Sequence, residues 1–218
     1  MREQNLTIKN VKSFNLTHIF ECGQCFRWNK NEDGSYTGVV RKNVINIKIK
    51  NNDVYVNSYG EDNLEELFQN YFDIDRDYEN IKSKLSRIDE HMKKSIQYGD
   101  GIRLLNQDLW ETIISFIISA NNNIPRIKGI IERISKRFGD KIEWNGCEYY
   151  TFPNPQQLGK ASVEDLRNLG LGFRDVRVYE TTKKVLNKEI DLEKLHQEKN
   201  TETVREELLT LPGVGPKV

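Results

Sequence analysis

The chain has 218 residues, and its 33 Lys and Arg residues balance its 33 Asp and Glu residues, so its formal net charge is zero. Hydrophobic residues make up 37% of the sequence, enough for one large or two small globular domains. The longest apolar stretch, residues 113–120, is far shorter than the roughly 20 residues that cross a bilayer. The polar N-terminus lacks the apolar core of a secretion signal. Three cysteines do not suffice for a disulfide scaffold and fit a reducing compartment.

The first sixty residues have the pattern of an antiparallel sheet. Short β-rich runs separated by turns that can join neighbouring strands lie at residues 25–28, 36–40, 44–49 and 54–56. From Glu61 onward the apolar residues recur with helical spacing, and helices are predicted to the end of the chain. We therefore predict an α+β fold with one domain over residues 1–105 and a second, helical domain over residues 106–218.

Capping residues define the helices of the second half. Asp108 and Asn123 are predicted N-caps of two consecutive helices with broad apolar faces. Ser162 opens a predicted capping box. Further helices are predicted over residues 174–186 and 203–211.

Charge is unevenly distributed along this neutral chain. Residues 61–79 are strongly acidic, whereas residues 121–141 and 172–188 are basic. A neutral protein can still present one basic face to phosphate groups. Ordinary solvated helix faces explain the same pattern, so charge alone does not decide between a DNA-binding protein and any other globular protein.

The most specific segment is Leu-Pro-Gly-Val-Gly-Pro-Lys at residues 211–217. An apolar helix end followed by Gly213 and Gly215 is typical of a helix-hairpin-helix element, in which glycines bring backbone N–H groups against a DNA phosphate. A plain turn between helices is the alternative. Lys217 would begin the next helix, where the helix dipole and burial favour a neutral amine able to attack a sugar carbon. A lysine that contacts phosphate fits the same spacing.

Four segments, in this order, resemble the 8-oxoguanine DNA glycosylase/AP lyase family of the helix-hairpin-helix superfamily: residues 23–28, 119–127, 169–174 and 211–218. The resemblance implies a twisted antiparallel sheet domain followed by a helix-hairpin-helix glycosylase domain that is truncated at its C-terminal end. It also implies excision of 8-oxoguanine from duplex DNA in base-excision repair, by base flipping and lysine Schiff-base chemistry, with AP lyase activity through β-elimination.

The resemblance assigns roles residue by residue. Lys217 matches the catalytic nucleophile, and Gly23 matches the residue whose backbone carbonyl recognises N7–H of the lesion, where normal guanine carries an acceptor. Positions that match DNA contacts, including those to the opposite cytosine and the aromatic wedge, are Asn121, Arg126, Phe173, Arg174, Gly213 and Gly215. Helix termination for the asparagine and phosphate binding for the arginines are the alternative interpretations. The sequence departs from the family at Cys25, usually serine, and at Phe173, usually tyrosine.

The implied partner is double-stranded DNA containing 8-oxoguanine. We expect the protein to be a monomer, to use no cofactor and to have no membrane partner. We expect a cytoplasmic, nucleoid-associated protein in a prokaryote and a nuclear protein in a eukaryote. Cys22 and Cys25 form a Cys-x-x-Cys pattern, but neither a redox helix nor a paired set of zinc ligands accompanies it, and we predict no metal site.

Two expectations concern activity. The family's aspartate and base-sandwich residues would follow Val218, so we expect the 218-residue chain by itself to be inactive. The alternative function is a non-enzymatic helix-hairpin-helix DNA-binding module, which would not require an amine at Lys217.

Overall fold

The computed structural model describes residues 1–216 and divides the chain into two compact units. The first unit spans Met1–Gln107 and the second begins at Asp108. This division lies close to the boundary predicted at residue 105.

The first unit is built on a five-stranded antiparallel sheet with the order β1-β5-β4-β3-β2. Its strands are β1 (Arg2–Ile8), β2 (Trp28–Lys30), β3 (Tyr36–Val40), β4 (Asn43–Lys50) and β5 (Asp53–Gly60). Strands β2 to β5 form the predicted meander, but β2 begins only at Trp28, the last residue of the run predicted at residues 25–28. The sequence did not indicate β1, because it is largely polar and only Leu6 and Ile8 pack against the core. It pairs with β5 along its whole length, from Arg2 opposite Gly60 to Ile8 opposite Val54.

Four helices complete the first unit: α1 (Leu16–Phe20), α2 (Leu64–Tyr71), α3 (Tyr78–Leu85) and α4 (Glu90–Tyr98). Aromatic packing joins them to the sheet. The Phe20 ring stacks on Trp28 with centroids 4.2 Å apart, and Trp28 Nε1 donates to the Tyr71 hydroxyl over 3.0 Å. Buried aromatic pairs of this kind combine a large apolar area with a fixed orientation. They hold both ends of the loop between α1 and β2, which contains Gly23.

The second unit is mainly helical: α5 (Leu109–Ser119), α6 (Ile124–Phe138), α7 (Pro155–Leu158), α8 (Val163–Asn168), α9 (Asp175–Leu186), α10 (Leu192–Gln197) and α11 (Thr201–Leu209), with a 3-10 turn at Gly172–Arg174. It also contains a two-stranded hairpin, β6 (Lys141–Trp144) and β7 (Cys147–Tyr150), which the prediction of an all-helical domain left out. Asn145 and Gly146 both have positive φ, as the two-residue turn of a β-hairpin requires. No helix within residues 1–216 is long and apolar enough to cross a membrane.

The predicted caps of this unit are confirmed. The side chain of Asp108 accepts from Glu111 N over 2.9 Å, and Asn123 accepts from Arg126 N over 3.0 Å. Ser162 forms its capping box with Asp165. Since α5 and α6 follow each other after a short turn, their isoleucine-rich faces pack together, and the fully buried isoleucines are Ile114, Ile117, Ile118, Ile130, Ile131 and Ile134.

Arg103 is a buried cation of the first unit, with 5% of its surface exposed. Its guanidinium donates to the carbonyls of Lys12, Ser13 and Asp73 over 3.2, 3.0 and 2.8 Å. It also lies 4.5 Å from the centroid of the Tyr78 ring. Burial lowers the pKa of Arg103. One side chain therefore donates to three carbonyls that lie in two loops, where they take no part in the hydrogen bonds of a strand or helix.

We predict that Arg103→Met destabilises the first unit by about 2–4 kcal/mol, because it removes three charge-assisted hydrogen bonds and leaves partly buried carbonyls without this donor. The matched control is Arg76→Met, since the Arg76 side chain is 60% exposed and pairs with Asp73 at the surface; we expect about 1 kcal/mol or less. Hydrogen exchange of the β4 and β5 amides, followed by mass spectrometry, reports this unit separately. Equal loss of protection in both variants would contradict the structural role of Arg103.

Candidate functional site

Gly23 stands in a left-handed turn of the loop between α1 and β2. Its φ is +87°, and a Cβ built on it would meet no atom within 4 Å. Glycine is therefore required here by backbone conformation and not by lack of space. Within residues 1–216 the carbonyl oxygen of Gly23 accepts no hydrogen bond. This leaves an acceptor available to a ligand.

Gln24 fixes the turn that carries this carbonyl. Its Nε2 donates to the carbonyls of Ile19 and Arg103 over 2.9 and 2.8 Å, and its Oε1 accepts from Leu105 N over 3.0 Å. Its own carbonyl accepts from Gln107 Nε2 over 2.6 Å. The amide thus bridges α1 to the segment that leads out of the first unit. Sequence reasoning did not identify Gln24, because a single glutamine in a loop gives no sign that both ends of its amide are used.

The two cysteines that flank this turn form no disulfide bond. Cys22 is exposed and its Sγ lies 3.4 Å from the Ile19 carbonyl, whereas Cys25 is buried with its Sγ 3.9 Å from the Phe20 carbonyl. In the part of the chain that the structure describes, no group of three or more His, Cys, Asp and Glu side chains could hold a metal ion.

In the second unit, Arg174 is almost completely buried, with 2% of its surface exposed. Its Nε and Nη2 donate to the Ala120 carbonyl over 2.8 and 2.6 Å, and Nη2 also donates to Asn121 over 2.7 Å. Its Nη1 donates to the Leu171 carbonyl over 3.2 Å. Arg174 therefore ties the end of α5 to the loop before α9. Its predicted contact with cytosine stays a prediction, and in the free chain four of its five N–H donors bind carbonyls of the protein itself.

Asn121 and Arg126 present exposed side chains beside this clamp. Asn121 has a φ of +51°, a conformation that asparagine tolerates better than most residues. Arg126 stands in the first turn of α6, and its Nη2 makes one long hydrogen bond of 3.3 Å to the Gly170 carbonyl. Both side chains keep donors that a DNA base or phosphate can use.

Phe173 projects from the 3-10 turn with 55% of its surface exposed. Two guanidinium groups approach its ring, Arg174 at 4.3 Å and Arg177 at 5.1 Å from the centroid. Such contacts are typical of cation–π pairs. Burial, and then the positive charges of Arg126 and Arg177, lower the pKa of Arg174. An exposed aromatic ring surrounded by cations has the character of a nucleic-acid contact surface.

The hairpin after α11 forms a tight turn. Val214 N donates to the Leu211 carbonyl over 3.1 Å, with Pro212 and Gly213 between them, and Gly213 has a φ of +87°. Proline followed by glycine is the pattern of a type II turn. Over residues 1–216 the N–H groups of Gly213 and Gly215 donate to no acceptor. The predicted nucleophile, Lys217, lies outside the described residues.

Comparison with known proteins identifies relatives of this chain. The sequence model of the 8-oxoguanine DNA glycosylase N-terminal domain matches residues 6–113. The crystal structure of the Clostridium acetobutylicum 8-oxoguanine glycosylase/lyase in its apo form is 40% identical with a TM-score of 0.93, over 99% of this chain and 76% of that one. The chain belongs to the 8-oxoguanine DNA glycosylase/lyase family. A second structure of the Clostridium protein, with duplex DNA containing cytosine opposite 8-oxoguanine, matches with a TM-score of 0.94 and 40% identity, over 99% of this chain and 74% of that one.

Curated relatives are considerably longer than the region that matches this chain. The N-glycosylase/DNA lyase of Saccharomyces cerevisiae is 39% identical over 54% of this chain and 34% of its own length. The Arabidopsis thaliana N-glycosylase/DNA lyase is 27% identical over 93% of this chain and 58% of its own length. The chain thus spans about a third of one and somewhat over half of the other.

We predict that Arg174→Lys destabilises the second unit by about 2–3 kcal/mol, because an ammonium group cannot reach the three carbonyls that the planar guanidinium fork joins. Arg126→Lys should cost less than about 0.5 kcal/mol, since that side chain is exposed. Hydrogen exchange of the α5 and α6 amides distinguishes the two. Indistinguishable protection in both variants would show that the four hydrogen bonds of Arg174 contribute little to stability.

Proposed function

We propose that this chain provides lesion recognition, DNA binding and the nucleophile of a glycosylase that removes 8-oxoguanine from duplex DNA. The observation that carries the proposal is the match of 99% of the chain to a glycosylase/lyase bound to DNA with cytosine opposite 8-oxoguanine. The Gly23 carbonyl, the cationic surface around Phe173 and the hairpin N–H groups supply the chemistry that this activity needs.

Lesion recognition follows from the Gly23 carbonyl. The oxidised base carries N7–H, which donates to this oxygen, whereas guanine would direct a lone pair at it. The hydrogen bond to the oxidised base and the repulsion of guanine together favour binding of the oxidised base by about 1–3 kcal/mol. The rigid support from Gln24 matters because a carbonyl that could turn away would lose this selectivity.

Strand binding and base flipping use the second unit. The free N–H groups of Gly213 and Gly215 bind a backbone phosphate without reading sequence. Phe173 fills the space that the flipped nucleotide leaves, Asn121 and Arg126 face the remaining cytosine, and Arg174 offers it the one N–H that its protein contacts leave unused. Loss of the tyrosine hydroxyl at this position keeps the stacking surface and removes one donor.

The chemical step belongs to Lys217. Its neutral amine attacks C1′ of the sugar, the bond from C1′ to the base breaks, and the base leaves with the glycosidic electrons and a proton. Opening of the sugar ring gives a protonated Schiff base between Nζ and C1′. Loss of a proton from C2′ then expels the 3′ phosphate, which is β-elimination, and hydrolysis of the imine regenerates the amine.

We also propose that the protein acts as a monomer where genomic DNA is kept, in the nucleoid of a prokaryote or the nucleus of a eukaryote. Expression of a fluorescent fusion and size-exclusion chromatography with light scattering test these two points separately.

Borohydride trapping tests the enzymatic proposal. The protein is the chain joined to the part of the Clostridium acetobutylicum relative that follows its matched region, and we call it the extended protein. It should form a covalent adduct with an 8-oxoguanine:cytosine duplex, and Lys217→Gln should abolish the adduct while changing DNA affinity by less than about threefold, because backbone N–H groups hold the phosphate. The 218-residue chain alone should give no adduct. Equal trapping by the Lys217→Gln protein would place the nucleophile elsewhere, and binding without any adduct would favour the non-enzymatic DNA-binding module.

Opposite-base recognition is tested by Arg126→Ala. We expect it to reduce the preference for cytosine over adenine opposite the lesion by about 5- to 50-fold, more than it reduces total affinity, because a base contact is worth about 1–3 kcal/mol and a phosphate contact is blind to sequence. Arg133→Ala is the matched control, since Arg133 lies on the same helix and its Nε donates over 2.8 Å to the neighbouring Leu169 carbonyl. Fluorescence anisotropy with four duplexes gives both quantities. Equal losses against all four opposite bases would make Arg126 a phosphate contact only.

A further inference from the structure

Arg177 is a half-buried residue of α9 to which neither the motifs nor the mechanism above gives a role. Its guanidinium carbon lies 5.1 Å from the centroid of the Phe173 ring. Its aliphatic stem lies against the hairpin, because a Cβ built on Gly213 would come within 2.5 Å of its Cδ and 3.2 Å of its Nε. One side chain thus touches both the exposed aromatic ring and the phosphate-binding turn.

The guanidinium of Arg177 is available for binding. In the part of the chain that the structure describes, it makes neither a hydrogen bond nor an ion pair. The nearby acid in the sequence, Asp175, is buried and pairs with Arg167 Nε over 2.8 Å. The other oxygen of Asp175 accepts from Val176 N. The positive charge of Arg177 is therefore not neutralised by this carboxylate.

Arg174 provides the contrast. Both arginines approach the Phe173 ring, but four of the donor contacts of Arg174 go to backbone carbonyls. Of these two cations, only Arg177 has its planar set of five donors unused. A planar cation that stacks on a ring by its face still directs its N–H groups outward at the edges, where a phosphate is bound.

We propose that Arg177 is a positioning residue that couples the Phe173 wedge to the hairpin and binds a DNA phosphate with its free donors. The inference rests on the proposed function, in which Phe173 enters the gap left by a flipped nucleotide. Stacking on Arg177 holds the exposed ring in one orientation. Contact of the arginine stem with Gly213 sets the ring relative to the strand that the hairpin grips.

The test uses the 218-residue chain and fluorescence anisotropy on two duplexes. One duplex is undamaged, and the other has a stable abasic analogue opposite cytosine, so that it offers the gap without requiring flipping. The ratio of the two affinities is the gap preference, and the salt dependence on undamaged duplex counts phosphate contacts. Variants are Arg177→Gln, Arg177→Lys and Phe173→Ala, with Lys160→Gln as a control for loss of an exposed charge on the same unit. Circular dichroism and melting temperature confirm that each variant is folded.

We expect Arg177→Gln to lower the salt slope by about 0.9, the value for one phosphate, and to reduce the gap preference to within about twofold of that of Phe173→Ala. Arg177→Lys should keep the salt slope but not the gap preference, since an ammonium carries the charge without the planar face. Lys160→Gln should leave the gap preference unchanged. If Arg177→Gln keeps the gap preference of the parent chain, the proposed coupling between Arg177 and Phe173 is wrong. If Arg177→Lys keeps it, a positive charge alone suffices, and the proposed coupling through the planar guanidinium is also wrong.

Failure of the proposed function gives a different result. If Phe173→Ala keeps the gap preference of the parent chain, then the wedge assignment fails, whatever Arg177 does. A further measurement tests the contact with the hairpin. Gly213→Ala must displace the Arg177 stem and should also reduce the gap preference. The double variant with Arg177→Gln should reduce the gap preference by a smaller factor than the product of the two single reductions. Independent effects would overturn the link between Arg177 and the hairpin.

Discussion

Four hydrogen bonds from one buried guanidinium hold together the loops that carry the predicted DNA contacts of the second unit. Arg174 reaches the carbonyls of Ala120 and Asn121 at the end of α5 and that of Leu171 at the start of the 3-10 turn. Ala120 is the C-cap of α5, so the cation lies at the negative end of a helix dipole. The helix end thus supplies acceptors and a favourable field to a buried charge whose hydrogen bonds all go to carbonyls.

This clamp explains how exposed groups in loops can be held in fixed positions. Asn121 leaves the helix in a left-handed conformation while its carbonyl is fixed by Arg174, so its side chain starts from a defined backbone. Phe173 precedes the clamping residue directly, and the Arg174 guanidinium also packs on its ring. The same residue therefore orients both the amide and the aromatic ring, which reduces the entropy that either would lose on binding DNA.

Backbone groups in glycine-containing turns provide the other predicted contacts. Gly23 offers a carbonyl without a donor, and Gly213 and Gly215 offer N–H groups without acceptors within residues 1–216. Unpaired backbone groups persist where water or a ligand can reach them. Hydrogen bonds stabilise both turns: the Gln24 side chain holds the turn at Gly23, and the Leu211 carbonyl closes the turn at Gly213. Recognition by backbone atoms depends on turn geometry more than on side-chain identity.

Local rules predicted the parts of this fold that depend on neighbouring residues. The caps at Asp108, Asn123 and Ser162 were predictable because a short polar side chain and the next three residues determine them. Strand β1 was missed, since its place in the sheet depends on β5 some fifty residues later. The β6–β7 hairpin carried an Asn-Gly signal, but its strands of four residues are too short to show alternation clearly.

The candidate site was predictable in its residues and not in how they are used. Motifs led to Gly23, Arg174 and the hairpin glycines, yet no motif shows that the guanidinium of Arg174 is turned inward. Arg177 was counted only as part of a basic stretch. Its contact with Phe173 is local in the sequence, but its contact with Gly213 joins two distant segments. Long-range contacts depend on tertiary packing, which cannot be predicted from the pattern of a single sequence.

The number of donors on Arg174 limits what it can do for the opposite base. A guanidinium has five N–H groups, and the clamp uses the one on Nε, both on Nη2 and one on Nη1. One N–H on Nη1 is left, so a single hydrogen bond to cytosine is compatible with an intact clamp. A bidentate contact would require Nη1 to release Leu171, and the gain in base discrimination would then be offset by a buried carbonyl without a donor. Under the proposed function, we therefore expect selectivity that exceeds one hydrogen bond to come from Asn121 and Arg126, whose side chains are exposed and keep free donors.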